Sequence, residues 1–142
     1  MKISTKGRYG LKAMVDLAVH SVSESVTLKS ISERQNISEG YLEQIFSSLR
    51  KSGIIKGRKG QGGGYIICDS LSDITVGDIL RVLEGDLSVV DENNTTNKIE
   101  KCLKENVWDK INECINDVID KITLQELIEK YNYDNEGYMY YI

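Results

Sequence analysis

The chain has little of the material from which metal sites and catalytic sets are built. It contains one histidine, His20, and three scattered cysteines, Cys68, Cys102 and Cys114. A metal ion or cluster needs several thiolates or imidazoles that converge on one point, and a nucleophile with a neighbouring imidazole cannot be assembled convincingly from one histidine. We therefore expect no catalytic residues, no metal site and no cofactor. We expect buried or half-buried thiols, with a redox-sensing thiol as the alternative.

The chain also lacks long apolar runs. No run approaches the roughly 18 residues that a helix needs to span a bilayer, and no apolar signal segment precedes the first amphipathic stretch. An odd number of dispersed cysteines is typical of a reducing compartment. These absences predict a cytoplasmic protein without a membrane partner.

Charge is divided unevenly along the chain. The net charge is −4, which by itself argues weakly against a nucleic-acid partner. Residues 1–70, however, contain 11 Lys/Arg and 6 Asp/Glu, whereas the remaining residues contain 7 and 16. The basic half can therefore face a polyanion while the acidic half points away.

Three amphipathic helices are predicted in the basic half. The first spans roughly residues 5–23, and a short second helix begins after Thr27 and ends near Asn36. Ser38 is the expected cap of a third helix over about residues 39–52. Two helices joined by a turn of three or four residues are typical of a helix-turn-helix.

A glycine-rich hairpin is predicted next. Strands over residues 54–56 and 65–67 flank a turn over residues 59–64, because glycine adopts the positive φ that a tight hairpin needs. Its first arm carries three cations, suited to a minor groove or a phosphate backbone: Lys56, Arg58 and Lys59. Taken alone, a solvated hairpin with incidental cations fits equally well. The order of helix-turn-helix and hairpin favours a DNA-binding wing, and the missing Gly-Lys-Ser/Thr ending excludes a P-loop.

The third helix would be the recognition helix. Its first residues would read bases, because those residues reach the major groove. Glutamine can pair with adenine, and glutamate can accept a hydrogen bond from cytosine. Basic residues outside this helix would add phosphate contacts. The candidate residues for binding double-stranded DNA are Lys2, Lys6, Arg8, Ser38, Glu39, Tyr41, Glu43, Gln44, Arg50, Arg58, Lys59, Gly60, Gln61 and Gly62.

The acidic half is predicted to contain a long helix. A capping-box variant at Thr75 opens a helix that stops at Gly85, and a polar loop follows over residues 86–97. From residue 98 to 122, apolar residues recur at three- or four-residue intervals and predict one continuous stripe. Either the stripe covers the core of its own subunit or, as we favour, it pairs with a second copy. The candidate dimerisation residues are Ile99, Leu103, Val107, Trp108, Ile111, Ile115, Val118 and Ile122.

Four segments together resemble the bacterial winged-helix regulators that include IscR, NsrR and CymR. These segments cover residues 1–11, 38–49, 62–65 and 75–79, and the resemblance extends over nearly the whole chain. It implies a homodimer that binds palindromic promoter DNA. The expected fold is mainly α with a small β wing: a winged helix-turn-helix domain over residues 1–85, a loop over 86–97, and a dimerisation helix, a short helix to about Tyr131 and a tail over 98–142.

Within that family, the chain is most similar to the CymR branch. Members that sense iron-sulfur clusters or nitric oxide carry three closely spaced cysteines before the dimer helix, and the loop over residues 86–97 has none. CymR-type regulators repress cysteine and sulfur metabolism genes together with cysteine synthase (O-acetylserine thiol-lyase). A direct iron-sulfur or redox sensor of the same family remains the alternative.

The tail ending in Tyr140, Tyr141 and Ile142 resembles the isoleucine-ended tail with which serine acetyltransferase enters the active site of cysteine synthase. Packing of the tail across the dimer is an equal alternative. The family resemblance also places Lys59 where relatives often carry arginine, so Arg58 is expected to compensate.

Overall fold

A computed structural model describes residues 2–21, 24–60, 63–91 and 96–140 of the chain. It confirms a mainly helical fold with one small antiparallel sheet. The elements in chain order are α1 (Thr5–His20), α2 (Leu28–Gln35), α3 (Glu39–Lys51), β1 (Ile55–Arg58), β2 (Gly64–Ile67), α4 (Val76–Glu84), α5 (Lys98–Leu103), a π turn (Lys104–Trp108), α6 (Asp109–Ile119) and α7 (Leu124–Tyr140).

The helix starts follow from local side-chain chemistry. The hydroxyls of Thr27 and Ser38 accept hydrogen bonds from backbone N–H groups three residues later, at 3.1 and 3.2 Å. Thr75 and Asp78 form a reciprocal capping box with two 3.0 Å hydrogen bonds. Asn36 ends α2 in the left-handed conformation at φ 56°. These predicted boundaries are confirmed, whereas α1 ends at His20 rather than near residue 23.

One hydrophobic core joins the first four helices, the sheet and the start of α7. Its largest fully buried side chains include Met14, Leu42 and Phe46, and Phe46 meets Tyr65 of β2 edge to face at 5.0 Å between ring centroids. Leu124, at the start of α7, is also fully buried in this core. The predicted division of the chain at residues 85 and 97 stays a prediction.

The wing (residues 55–67) is held by a contact that the sequence did not reveal. Its strands pair from Ile55↔Ile67 to Arg58↔Gly64, and the predicted strand starts differ by one residue. Val26, before α2, exchanges two backbone hydrogen bonds with Tyr65 at 3.0 and 2.8 Å. A Cβ on Gly64 would collide with the Val26 carbonyl. Glycine is therefore required there for the close approach of the two backbones.

The long helix (residues 98–119, formed by α5, the π turn and α6) differs from the predicted uninterrupted helix to Ile122. In an α-helix, a four-residue step turns about 40° past a full turn, so a stripe with four-residue spacing drifts around the helix. The wider π turn offsets part of that drift. The helix ends at Ile119. Just after it, the chain contacts the start of α4, where the Ile122 carbonyl accepts a 2.8 Å hydrogen bond from the Val76 N–H.

The last helix is longer than predicted. The expected end near Tyr131 is wrong, since α7 continues to Tyr140. The exposed ion pair between Lys130 and Glu126 has the i,i+4 spacing that supports a helix, and no proline interrupts the segment. Tyr141 and Ile142 lie outside the described residues. Within the described ranges, no helix is long and apolar enough to cross a membrane.

Candidate nucleic-acid interface

The recognition helix α3 separates a buried face from a polar face. Leu42, Ile45, Phe46 and Leu49 are buried. Glu39, Glu43 and Gln44 are exposed on the other side, near the start of the helix. Gly40 lies beside them with open space around the position of a Cβ. The polar side chains at the start of α3 are therefore exposed on the side opposite the core.

Two predicted contact residues also have structural roles. The Ser38 hydroxyl accepts the capping hydrogen bond of α3, which leaves its own O–H free to donate to a phosphate. Tyr41 is half-buried and packs edge to face on Tyr9, with 6.0 Å between the ring centroids. Tyr41 thus joins α3 to α1, and only part of its ring is available to DNA.

The basic arm (residues 2–8) consists of the three residues before α1 and the first turn of that helix. Its start is fixed by a residue that sequence reasoning missed. Ser4 donates to the Glu84 carboxylate through its backbone N–H at 2.9 Å and its hydroxyl at 2.5 Å. Lys2 and Arg8 are exposed, and the Lys6 ammonium lies 3.5 Å from the Ser48 hydroxyl on α3. Glu84 is 80 positions from Ser4, so no local pattern could have indicated this contact.

The wing presents its cations to solvent. Lys56, Arg58, Lys59 and Gly60 are exposed, and Gly60 has φ 125° in the turn. Arg50, in the last turn of α3, is exposed as well. The predicted contacts Gln61 and Gly62 lie outside the described residues. Because α3 packs against α1 on one side and β1 on another, the structure places the arm, the recognition helix and the wing on adjoining elements.

A buried carboxylate joins α1 to α2. Asp16 of α1 is 3 % exposed and accepts hydrogen bonds from Arg34 at 2.7 and 2.9 Å and from Gln35 at 2.7 Å. Burial works to raise the pKa of Asp16, but these hydrogen bonds and the Arg34 charge outweigh it and hold the pKa below its ordinary value. His20 adds a contact at 3.6 Å. The cluster joins α1 to α2 through buried charge.

The predicted dimerisation stripe is incompletely covered by its own subunit. Ile99 is 72 % exposed and Val118 59 %, and Leu103 and Ile111 are also exposed. Val107, Trp108, Ile115 and Ile122 are half-buried. A stripe folded entirely over its own core would be buried, so this subunit alone does not satisfy that alternative.

The cysteine prediction is wrong in one respect. Cys68, Cys102 and Cys114 are all exposed and free, whereas buried or half-buried thiols were expected. Cys102 and Cys114 lie on the long helix, much of whose surface faces solvent in the single subunit, and Cys68 follows the end of β2.

Comparison with known proteins places the chain in a family. Residues 3–130 match the family model Rrf2, described as an iron-dependent transcriptional regulator. The chain belongs to the Rrf2 family. It is 42 % identical to the HTH-type transcriptional regulator CymR of Bacillus subtilis over 142 residues, which is the whole of both chains. These names confirm a transcriptional regulator rather than an enzyme.

Solved structures of relatives have the same fold. The structure of CymR, described as the global cysteine regulator of B. subtilis, has a TM-score of 0.79 and 41 % identity and covers 92 % of this chain and 98 % of its own. The T. potens IscR structure also has a TM-score of 0.79, with 43 % identity, and covers 99 % and 96 %. The predicted winged-helix class and the similarity to both CymR and IscR are confirmed.

Iron, which the family description names, does not fit the His, Cys, Asp and Glu side chains that the structure describes. Across the part of the chain that the structure describes, no three His, Cys, Asp or Glu side chains are placed to hold a metal ion. Cys102 and Cys114 are separated by twelve residues of helix, roughly 18 Å along the axis, and cannot share an ion within one subunit.

Proposed function

We propose that this regulator binds palindromic promoter DNA as a homodimer through two winged helices. The observation that carries the proposal is the contrast between a closed core under α3 and an exposed apolar stripe on the long helix. A second copy is the occupant that best fits this stripe, because a two-fold pair would bury the same residues on both helices. In this proposal the winged helix-turn-helix domain over residues 1–85 binds DNA. A loop over residues 86–97 connects it to residues 98–142, which form the dimer contact and the tail.

Each DNA contact has a distinct role in this proposal. Glu39, Glu43 and Gln44 read base edges in the major groove. Arg58 and Lys59 follow the backbone or enter the minor groove from the wing. Phosphate contacts come from the arm, Arg50 and the Ser38 hydroxyl, while the exposed edge of Tyr41 and the turn at residues 60–62 lie close to the DNA. The acidic half faces away from the polyanion.

The regulated genes follow from similarity to CymR. We propose repression of cysteine and sulfur metabolism genes in the cytoplasm, supported by full-length identity to CymR and by a cysteine-free loop over residues 86–97. Selection of genomic DNA fragments by the purified protein tests both the DNA-binding proposal and the assignment of the regulated genes. Enrichment of palindromes in sulfur-metabolism promoters is expected. Enrichment of other promoters would contradict only the gene assignment.

Variants of the interface test the DNA contacts. Glu43→Ala should relax base preference at one position of each half-site, and Lys59→Ala should weaken binding nearly equally for all sequences. Lys130→Ala on α7 is the matched control, because it removes an exposed cation far from α3 in the sequence and outside the proposed interface. Equal retention of DNA by all three variants would overturn the proposed interface.

A partner enzyme is the second part of the proposal. We propose that the tail, with Tyr140, Tyr141 and the terminal Ile142, docks in cysteine synthase, which recognises a terminal carboxylate behind an apolar side chain. O-acetylserine should weaken the complex by competing for the same site. Deletion of Tyr141 and Ile142 should abolish enzyme binding while DNA binding by the protein alone is retained. Unchanged affinity for the enzyme would contradict docking and favour packing across the dimer.

A further inference from the structure

The end of the long helix and the residue after it contact α4 and the loop that follows α4 through polar side chains. Arg81 of α4 donates two hydrogen bonds to the Asp120 carboxylate, at 2.6 and 2.9 Å, and one to the Asn116 amide oxygen at 2.9 Å. One turn earlier, Asn112 accepts from the Val89 N–H at 2.8 Å. Asn112, Asn116 and Asp120 are spaced by four residues and therefore share a face.

The backbone supplies a pivot beside these contacts. The Val76 N–H donates to the Ile122 carbonyl at 2.8 Å, and the Leu124 N–H donates to the Ile74 carbonyl at 2.9 Å. These bonds hold the chain just after the long helix against the start of α4. A pivot at one end fixes the position of that end, while the direction of the helix depends on contacts farther along it. The Arg81 contacts supply that second restraint.

The Arg81–Asp120 salt bridge lies against Gly77, whose missing side chain leaves room for it. A Cβ on Gly77 would collide with the Asp120 carboxylate and would crowd the Arg81 guanidinium. The hydrogen bonds between the two side chains lower the pKa of Asp120 and raise the pKa of Arg81. Both side chains are more than a third exposed, and exposed ion pairs contribute little to stability. Their bidentate geometry instead fixes orientation.

We propose that Arg81 and Asp120 are positioning residues that set the separation of the two DNA half-sites. The inference rests on the proposed homodimer. In a two-fold dimer joined by the long helices, the angle between each long helix and its winged domain determines how far apart the two α3 helices lie. One inserted base pair displaces a half-site by about 3.4 Å and rotates it by about 35°. A fixed angle therefore selects one spacing.

Binding to operators of altered spacing tests the inference. The probes are duplexes with the selected palindrome and versions lengthened or shortened by one and two base pairs at the centre. The native protein should prefer its own spacing by about tenfold or more. Asp120→Ala should reduce this preference to within about threefold, while affinity for a duplex with a single half-site is unchanged. A structural role in the winged domain would instead lower both affinities together.

Arg81→Lys provides a second variant that keeps the charge and the fold but loses the bidentate hydrogen bonds. It should also broaden the spacing preference. Lys130→Ala, which breaks an exposed ion pair within α7 alone, should leave the preference intact. Unchanged spacing preference in folded Arg81→Lys and Asp120→Ala dimers would overturn the inference. Failure of the native protein to prefer any palindrome would instead overturn the proposed function.

Discussion

The winged part of the molecule (helices α1 to α4 with the wing) and the long helix use apolar residues in opposite ways. In the winged part, Met14, Leu42 and Phe46 are fully buried within one subunit. On the long helix, Ile99 and Val118 are mostly exposed, although their spacing is just as regular. Regular apolar spacing therefore indicates which face will be buried but not which chain will bury it. We therefore expect folding to depend on the first region and association on the second.

The largest loss of stability is expected for Phe46→Ala. Phe46 is fully buried and contacts Tyr65 of the wing, so truncation should lower the free energy of unfolding by about 3–5 kcal/mol. Chemical denaturation measures it, and the loss should not depend on protein concentration. Leu103→Ala on the long helix is the matched comparison. Its loss of stability should depend on protein concentration, because the substitution weakens dimerisation and dilution favours the monomer. Equal behaviour of the two variants would remove the distinction between the regions.

Ile111→Glu should separate association from folding. A charge placed in the stripe would be buried without a partner in the dimer, so the dimer dissociation constant should rise by at least about a hundredfold. Sedimentation velocity should show a monomer, while circular dichroism still shows a helical fold. Glu113→Lys changes a charge about 200° around the helix from Ile111 and should leave the dimer intact. A stable Ile111→Glu dimer would contradict the predicted interface.

Asp16→Asn tests the buried ion pair of the winged part. Loss of charged hydrogen bonds from Arg34 should cost about 2–3 kcal/mol of stability near neutral pH. Because the pKa of Asp16 is lowered by folding, its contribution is fully present above the ordinary carboxyl value of 3.8 and disappears as pH falls through the lower folded pKa. Unfolding curves between pH 2 and 7 should therefore converge for native protein and variant in acid.

Asp120→Asn is the matched control for that measurement. Its carboxylate is also paired with an arginine, but it is exposed and joins the winged part to the long helix. Solvent screens such a pair, so little change in unfolding is expected at any pH. Similar losses for Asp16→Asn and Asp120→Asn would contradict the contrast between a buried restraint and a surface one.

Local rules explain which features could be predicted from sequence. The caps at Thr27 and Ser38 and the capping box at Thr75 each depend on residues at most three apart, and all were predicted. The recognition-helix residues were predicted from the same local pattern. The periodicity of a segment does not show which distant segments it will contact. The bridge from Val26 to Tyr65 was therefore not predicted.

The predictions of an uninterrupted long helix and of buried cysteines were both wrong because local patterns do not show how a segment packs in the subunit. The π turn over Lys104–Trp108 interrupts a sequence that reads as one α-helix, because apolar spacing does not distinguish a drifting stripe from one corrected by a wider turn. The exposed cysteines were expected to be buried because their residue type usually is. Their exposure depends on what the rest of the subunit covers, on the long helix for Cys102 and Cys114 and after β2 for Cys68.

A small loss of stability is expected when the contact that fixes the basic arm is removed. Glu84→Ala removes both Ser4 hydrogen bonds and should lower stability by only about 1 kcal/mol. DNA binding should change more clearly, because Lys2, which precedes α1, would no longer be positioned by the Ser4 contact. Each lost phosphate contact reduces the slope of log affinity against log salt by about 0.9, so a reduction of about 1 is expected.

Glu84→Gln sharpens this last test, since its amide oxygen still accepts from Ser4. It should keep a slope close to that of the native protein, although it lacks the charge. Lys2→Ala combined with Glu84→Ala completes a double-mutant cycle: if Glu84 acts by positioning Lys2, the second substitution should add little to the first. Fully additive effects would mean that Lys2 reaches DNA without help from Glu84.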